Sequence, residues 1–339
     1  MNKTTPTIAD IASEVGVSTA TVSRALNDTG QISEGIRSRV IDAAERLGYN
    51  PQRLHKKKSS TEGIAVLTEN LTVSFFNEVI AGVVDQAEDQ GIITSVFVTG
   101  EDPKRKRKVL QQIKQYEWMG IISAGVYITP NEWIKYQAEV DVALVVMNTA
   151  INHPKIASVM VNFGATETAV QHLLDLNHTR IAYLGDLDNT FSAQEFACIE
   201  KALATRGFTY PDEYRFSIPH TPEGASLGIS RMMMMPQEKR PTAYITFDDD
   251  LAIDVFNILR YYGLRIPEDI SIVGFDNIPM AAHTYPPLTT IDVPKRRVGM
   301  QMVLLISKLI KNGEQSSLGH TIVDASLIVR GSTGPCPSK

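Results

Sequence analysis

The sequence predicts an N-terminal all-α helix-turn-helix headpiece followed by an α/β core of two doubly wound parallel-sheet lobes, and three observations predict it. Residues 7 to 27 contain two short amphipathic helical stretches that meet at Gly16. From Gly63 onward, short apolar runs alternate with amphipathic helical stretches, the rhythm of a parallel sheet with crossover helices. That rhythm starts again after Ala165, which gives a second lobe.

Thr7 is placed to cap the first helix, with Asp10 three residues on. Ile8, Ile11, Ala12 and Val15 fall at i, i+3, i+4 and i+7 and form one buried stripe. Gly16 then lets the backbone turn. Ser18 caps the second helix, which buries Val22, Ala25 and Leu26 and turns Thr19, Ala20, Ser23 and Arg24 outward. Such residues suit a DNA major groove, where an Arg bonds guanine bidentately while capping hydroxyls and amides hold phosphates. Ser33 caps a third helix, Ile36, Val40, Ala43, Ala44 and Leu47 make its inner face, and Gly48 with Pro51 ends it. A three-helix bundle without nucleic acid is the plainer alternative, but caps, turn glycine and outward polar residues all agree on the reader.

In the core, Ile64–Leu67, Ile93–Phe97, Gly120–Ser123 and Val142–Val146 read as buried strands, with helices such as Phe76–Gln90 and Lys106–Tyr116 between them. The second lobe repeats this with strands at Arg180–Leu184, Ala243–Thr246 and Ile270–Val273. Sheets of this kind bind ligands at the carboxyl ends of their strands. The same pattern fits a sugar-binding protein of the bacterial periplasm or a nucleotide enzyme. The first would begin with a signal peptide and carry no DNA-reading head; the second needs a Gly-rich phosphate loop, and neither G-x-G-x-x-G nor G-x-x-x-x-G-K-S/T occurs.

Charge is divided unevenly: residues 1 to 58 hold nine Lys/Arg against six Asp/Glu, in a chain whose net charge is −5. A basic head on an acidic body attracts phosphates at one end. Met1 is followed by polar residues and no run of 18 apolar residues occurs, so a cytoplasmic protein is expected. Cys198 and Cys336 lack metal-ligand spacing, and neither metal, cofactor nor catalysis is expected. The basic run Lys104–Lys108 reads as a solvated helix face and Met232–Met235 as core packing.

The stretches Val17–Arg24, Asn27 and Leu47–Pro51 closely resemble the headpiece of the LacI/GalR family of bacterial transcription regulators, and Ile270–Asn277 and Pro286–Ile291 extend the resemblance over nearly the whole chain. The resemblance implies a periplasmic-binding-protein-like core and a dimer on a pseudo-palindromic operator in double-stranded DNA. Carried over by position, Thr19, Ala20 and Arg24 face bases, and Thr7, Ser18, Thr21, Ser23, Asn27 and Ser33 hold the phosphate backbone. It also implies three crossings between the lobes, near Val161, Asp292 and Ala325. The expected domains are then 1–50 (headpiece), 51–62 (linker), 63–161 with 292–324 (first core lobe) and 162–291 with 325–339 (second core lobe).

Asn148, Asp248 and Asp276 sit where strands end and match family positions that contact a small effector, with Phe75 and His220 at aromatic positions. Asp248 and Asp249 also suit the N-cap of the helix that follows. Two departures stand out. Ten residues after Gly185, where the family typically carries an Arg, this chain has Glu195, which suits a cationic effector such as an amino sugar better than a neutral one. The linker pattern Pro-Asn-x-x-Ala-Arg-x-Leu is replaced by Pro51-Gln-Arg-Leu-His-Lys-Lys-Lys58, so Lys56, Lys57 and Lys58 offer phosphate contacts where the family inserts a leucine wedge. The expected protein is a dimeric repressor controlled by a sugar-like effector; the rival is a small-molecule-binding protein with a non-functional headpiece.

Overall fold

The computed structural model describes residues 6–26, 32–47, 49, 63–312 and 319–337. Asn27, Gly48, Pro51 and Lys56 to Lys58 lie outside the described residues. The chain divides into two compact units, Met1–Thr61 and Glu62–Lys339.

The first unit contains helices α1 (Ile8–Val15), α2 (Thr19–Leu26) and α3 (Glu34–Leu47). Thr7 and Asp10 form a capping box: the Asp10 carboxylate accepts from the Thr7 backbone at 2.7 Å, and Thr7 Oγ1 accepts from the Asp10 amide at 3.4 Å. Gly16 ends α1 in the left-handed region at φ 73°, and both its amide and that of Val17 donate to the Ala12 carbonyl. The Ser18 hydroxyl accepts from the Thr21 amide at 3.1 Å and opens α2. Ile11, Ala12, Val15, Val22, Ala25, Val40, Ala43 and Ala44 are buried together with Tyr49; Ile8, Leu26, Ile36 and Leu47 pack half-buried at the margin. Arg39 braces the bundle by donating to the Val15 carbonyl at 2.8 Å, a cation on the carbonyl end of α1.

The second unit holds two six-stranded sheets. The first is built from β1 (Gly63–Thr68), β2 (Ile93–Val98), β3 (Gly120–Ser123), β4 (Ala143–Met147), β5 (Ile156–Asn162) and β11 (His320–Asp324), in the order β11-β5-β4-β3-β1-β2, all parallel. Helices α4 (Ser74–Glu88), α5 (Pro103–Ile113), α6 (Pro130–Val140) and α11 (Lys295–Asn312) belong to this lobe. Both faces of the sheet are covered at β1, β3 and β4, which is why these read as unbroken apolar runs, whereas the edge strand β2, expected to be buried, is largely open, with Ile93 and Val96 exposed. Ile64 and Val66 pack with Val79 and Val83 of α4, while Ala65 and Leu67 pack with Leu110 and Ile113 of α5 and Trp133 of α6. Helices α4 and α11 meet backbone to backbone. A Cβ on Gly82 would lie 2.1 Å from the Arg296 carbonyl oxygen, and one on Gly299 would lie 2.1 Å from that of Val79.

The second sheet contains β6 (Ile181–Gly185), β7 (Arg215–Ser217), β8 (Ala243–Thr246), β9 (Ser271–Asp276), β10 (Thr289–Asp292) and β12 (Ser326–Ile328), in the order β12-β10-β9-β8-β6-β7. It is parallel except for the antiparallel edge strand β12. Helices α7 (Gly164–Asp175), α8 (Thr190–Ala204), α9 (Pro222–Met234) and α10 (Asp249–Tyr261) complete this lobe. The chain passes from sheet to sheet after β5, after β10 and between β11 and β12.

Some local expectations need correction. The helix expected to start at Lys106 begins at Pro103, because Asp102 accepts from the Arg105 amide at 2.8 Å and Pro103 suits the first turn. Lys106 is not part of a solvated face: it is buried and ion-paired with Glu69. In the methionine run, Met232 is buried but Met234 is 77% exposed, since helical rotation carries the side chain off the core. Among the described residues no helix is long and apolar enough to cross a membrane.

Candidate functional site

In the first unit Thr7, Ser18, Thr19, Ala20, Arg24 and Ser33 are exposed, and Thr21 and Ser23 are half-buried. Two of the supposed phosphate holders are engaged with each other: the Ser18 and Thr21 hydroxyls lie 2.8 Å apart at the N-terminus of α2. That end presents free backbone amides and a partial positive charge to solvent, next to the exposed Thr19 and Ala20. The arrangement can hold a phosphate at the helix start and present short side chains beside it.

The second unit contains a cavity of about 450 Å³ at the carboxyl ends of both sheets. Phe75, Asn148, Glu195, His220, Asp248 and Asp276 all line it, drawn from two helices, three strand ends and the loop before α9, far apart in sequence. Asn148 follows β4 with φ 54°, an uncommon backbone for any residue but Gly, Asn or Asp. Its Oδ1 accepts from the Val161 amide at 2.7 Å, at the first passage between sheets, which leaves the amide nitrogen as the donor it can offer the cavity. Asp276 ends β9 at φ 104°, and Asn277 continues at φ 54°. This strained pair is held by Lys295, whose ammonium donates to the carbonyls of Asp276 and Asn277.

Asp248 does two things at once. Its Oδ1 caps α10 by accepting from the Leu251 amide at 2.8 Å, and its Oδ2 lies 2.6 Å from His220 Nε2. Burial pulls the His220 pKa down, but the hydrogen bond and charge of Asp248 outweigh it and raise it above the ordinary histidine value. His220 was expected to lend only a flat surface; it supplies a partner for Asp248 as well. Its ring stands edge-on to Phe247 at 5.5 Å. Asp249, next to Asp248, does not reach the cavity. It is fully buried, accepts from the Thr290 hydroxyl at 2.6 Å and the Ile278 amide at 2.8 Å, and burial pushes its pKa up to about 7.

Glu195 projects from α8 and is 1% exposed. Its Oε2 accepts from the Tyr183 hydroxyl at 2.9 Å, and Ser192 Oγ lies 2.8 Å from that same hydroxyl. Gly185 makes room for this chain of contacts, since a Cβ there would sit 2.7 Å from the Tyr183 hydroxyl. Burial drives the Glu195 carboxyl well above the usual range, the Tyr183 hydrogen bond offsets part of that, and the charge of Asp248 adds to it. Burial likewise pushes Asp276 up, with Asp248 and Asp249 adding to it.

Several lining residues were not singled out by sequence. Glu69, after β1, accepts from the buried Lys106 and from the Tyr127 amide at 3.0 Å. Phe163, Phe191, Phe247 and Phe275 add rings, and Tyr127 of the first lobe meets Phe191 of the second at 5.5 Å across the cavity. The strand-end rule that selects Asp248 and Asp276 also selects Phe247 and Phe275 beside them. Nothing in the sequence marks Tyr127 or Phe191, which lie in or after loops. Among the described residues the lining contains no Lys or Arg.

Residues 7–52 match the model of the bacterial regulatory proteins of the lacI family, and residues 170–333 match the periplasmic binding protein-like domain. The chain is 31% identical over 312 residues to the HTH-type transcriptional repressor PurR of Vibrio campbellii, covering 91% of this chain and 93% of the relative. It is 29% identical over 339 residues to the HTH-type transcriptional repressor CytR of Escherichia coli strain K12, covering 99% and 98%. The solved lac repressor dimer bound to operator and the anti-inducer ONPF has the same fold, with a TM-score of 0.71 at 24% identity over 98% of this chain and 100% of that one.

Proposed function

Because the chain belongs to the lacI family of bacterial regulatory proteins, we propose that it is a sequence-specific DNA-binding transcription regulator, a repressor whose hold on its operator is set by a small effector. The single observation that carries the effector half is the convergence of six residues far apart in sequence on one cavity at the strand ends of both lobes. The effector is sugar or sugar-like, since amides and carboxylates beside aromatic rings suit paired hydroxyls and C–H faces.

In this reading 1–50 is the headpiece, 51–62 the linker, 63–161 with 292–324 one core lobe, and 162–291 with 325–339 the other. Thr19, Ala20 and Arg24 read base edges; Thr7, Ser18, Thr21, Ser23, Asn27, Ser33 and Lys56 to Lys58 hold phosphates. Phe75, Asn148, Glu195, His220, Asp248 and Asp276 bind the effector. The working form is a cytoplasmic homodimer without catalysis. A single helix-turn-helix covers too few base pairs for selective binding, and two-fold symmetry suits a palindromic operator. PurR and CytR, transcriptional repressors to which the chain is similar over nearly its whole length, support the sign of regulation.

Selection from random oligonucleotides, followed by fluorescence anisotropy on the enriched sequence, tests the proposal. Expected is a palindromic site bound with a salt-dependent affinity at least about 1,000-fold above random DNA. Enrichment of no sequence overturns it.

A further inference from the structure

The charge inside the cavity is one-sided. Two of its carboxylates have counter-charges, Glu69 with Lys106 and Asp248 with His220. Glu195 has no cationic partner among the described residues. One of its oxygens is taken by Tyr183, and the other, Oε1, is buried with no hydrogen-bond partner. A buried carboxylate oxygen left without a donor is costly and uncommon in a folded protein. A phosphorylated or carboxylated ligand would meet repulsion here. A neutral polyol can offer Oε1 a hydroxyl but no charge. Phe191, Phe163 and Phe275 line the same cavity as a chain of rings with centroids 6.5 and 5.9 Å apart, and an aromatic face attracts a cation.

Resting on the reading of this cavity as the effector site, we propose that the effector carries a protonated amine on a small hydroxylated frame, with the ammonium seated on Glu195 Oε1. Hydroxyls of the frame then meet Asn148 and Asp276, and its C–H face meets the phenylalanine rings. The groups facing Glu195 are the Tyr183 hydroxyl from β6, Ser192 on its own helix, Asp248 at the start of α10 and Asp276 at the end of β9. Burial raises the Glu195 carboxyl well above its usual range, whereas a cation beside it favours the ionised form. Seating the ammonium therefore draws the carboxyl back toward the carboxylate, and any proton it gives up passes to solvent as the amine binds.

Matched ligands test this on the full chain: glucose with glucosamine, galactose with galactosamine, the N-acetylated amides as neutral controls of equal bulk, and glucose 6-phosphate. Thermal shift ranks them, and calorimetry in phosphate and in Tris counts protons. Expected is binding of at least one amine roughly tenfold or more tighter than its neutral parent and its amide, with net release of protons to the buffer. Glu195→Gln, nearly isosteric, is expected to reduce that preference to within about threefold and abolish proton release. Tighter binding of a neutral sugar or of the phosphate overturns the amine assignment and leaves the effector cavity standing. If no compound shifts the melting temperature, the amine assignment falls together with the sugar-like effector.

Discussion

At the scale of single residues, polar side chains here are spent on positions where the backbone needs them as well as on the sites. Asp248 caps a helix and partners His220; Asn148 ties the end of β4 to the passage into the second lobe. Asp249 is purely internal, and its pKa near 7 makes stability depend on pH. An unfolded aspartate titrates near ~3.9, so the folded protein holds the extra proton between about pH 4 and pH 7. Stability from this group is complete below that window and is lost as pH rises through it. Urea unfolding of Asp249→Asn at pH 5 and pH 8 is expected to show a smaller loss with rising pH than wild type, by on the order of 2 kcal/mol; parallel curves would remove Asp249 as the cause. In the first unit, Arg24→Ala is expected to cost about 1–3 kcal/mol of operator binding and to relax preference at one base position, read by anisotropy on operators varied one base pair at a time.

At the scale of elements, what was legible in the sequence was whatever repeats locally. The i, i+3, i+4 stripe with Thr7, Gly16 and Ser18 marks the first two helices, and Ile11, Ala12, Val15, Val22 and Ala25 are buried where that local rule puts them, with Ile8 and Leu26 half-buried at the ends. Strands covered on both faces announce themselves as apolar runs. The short strands β7 and β12 have three residues each and carry no period of their own. Lys106 reads as solvated because its neighbours are basic, and only the fold brings Glu69, 37 residues earlier, within reach of it. Asn148, Asp248 and Asp276 were legible from strand ends, and Phe75, His220 and Glu195 from positions matched to the family, whereas Tyr127 and Phe191 depend on how two lobes face each other. The contact between α4 and α11 is equally invisible in sequence and equally decisive. Gly299→Ala would force a methyl against the Val79 carbonyl, and is expected to destabilise the first lobe by about 1–3 kcal/mol, measured by thermal or denaturant unfolding. An unchanged midpoint would mean that the helices slide apart freely.

At the scale of the molecule, both lobes are built from discontinuous chain. The first sheet takes its α11 cover and its β11 edge from residues after the second lobe is nearly complete. A core fragment ending at Pro294 is expected to lack cooperative melting by circular dichroism, because Ile64, Val66, Ile122 and Val145 lose Val298, Met302 and Ile306 from their shared cluster. Cooperative melting of that fragment would show that α11 is dispensable. The same threading gives the pair of lobes three connections to bend, and a ligand shifts them only by the difference between its affinities for the bent and unbent forms. The threading also orders birth. On the ribosome, the headpiece unit is finished after its first sixty-odd residues, while the lobe beside it in sequence must wait for its edge strand at His320–Asp324. A copy terminated between those two points therefore carries a groove reader with no working sensor attached.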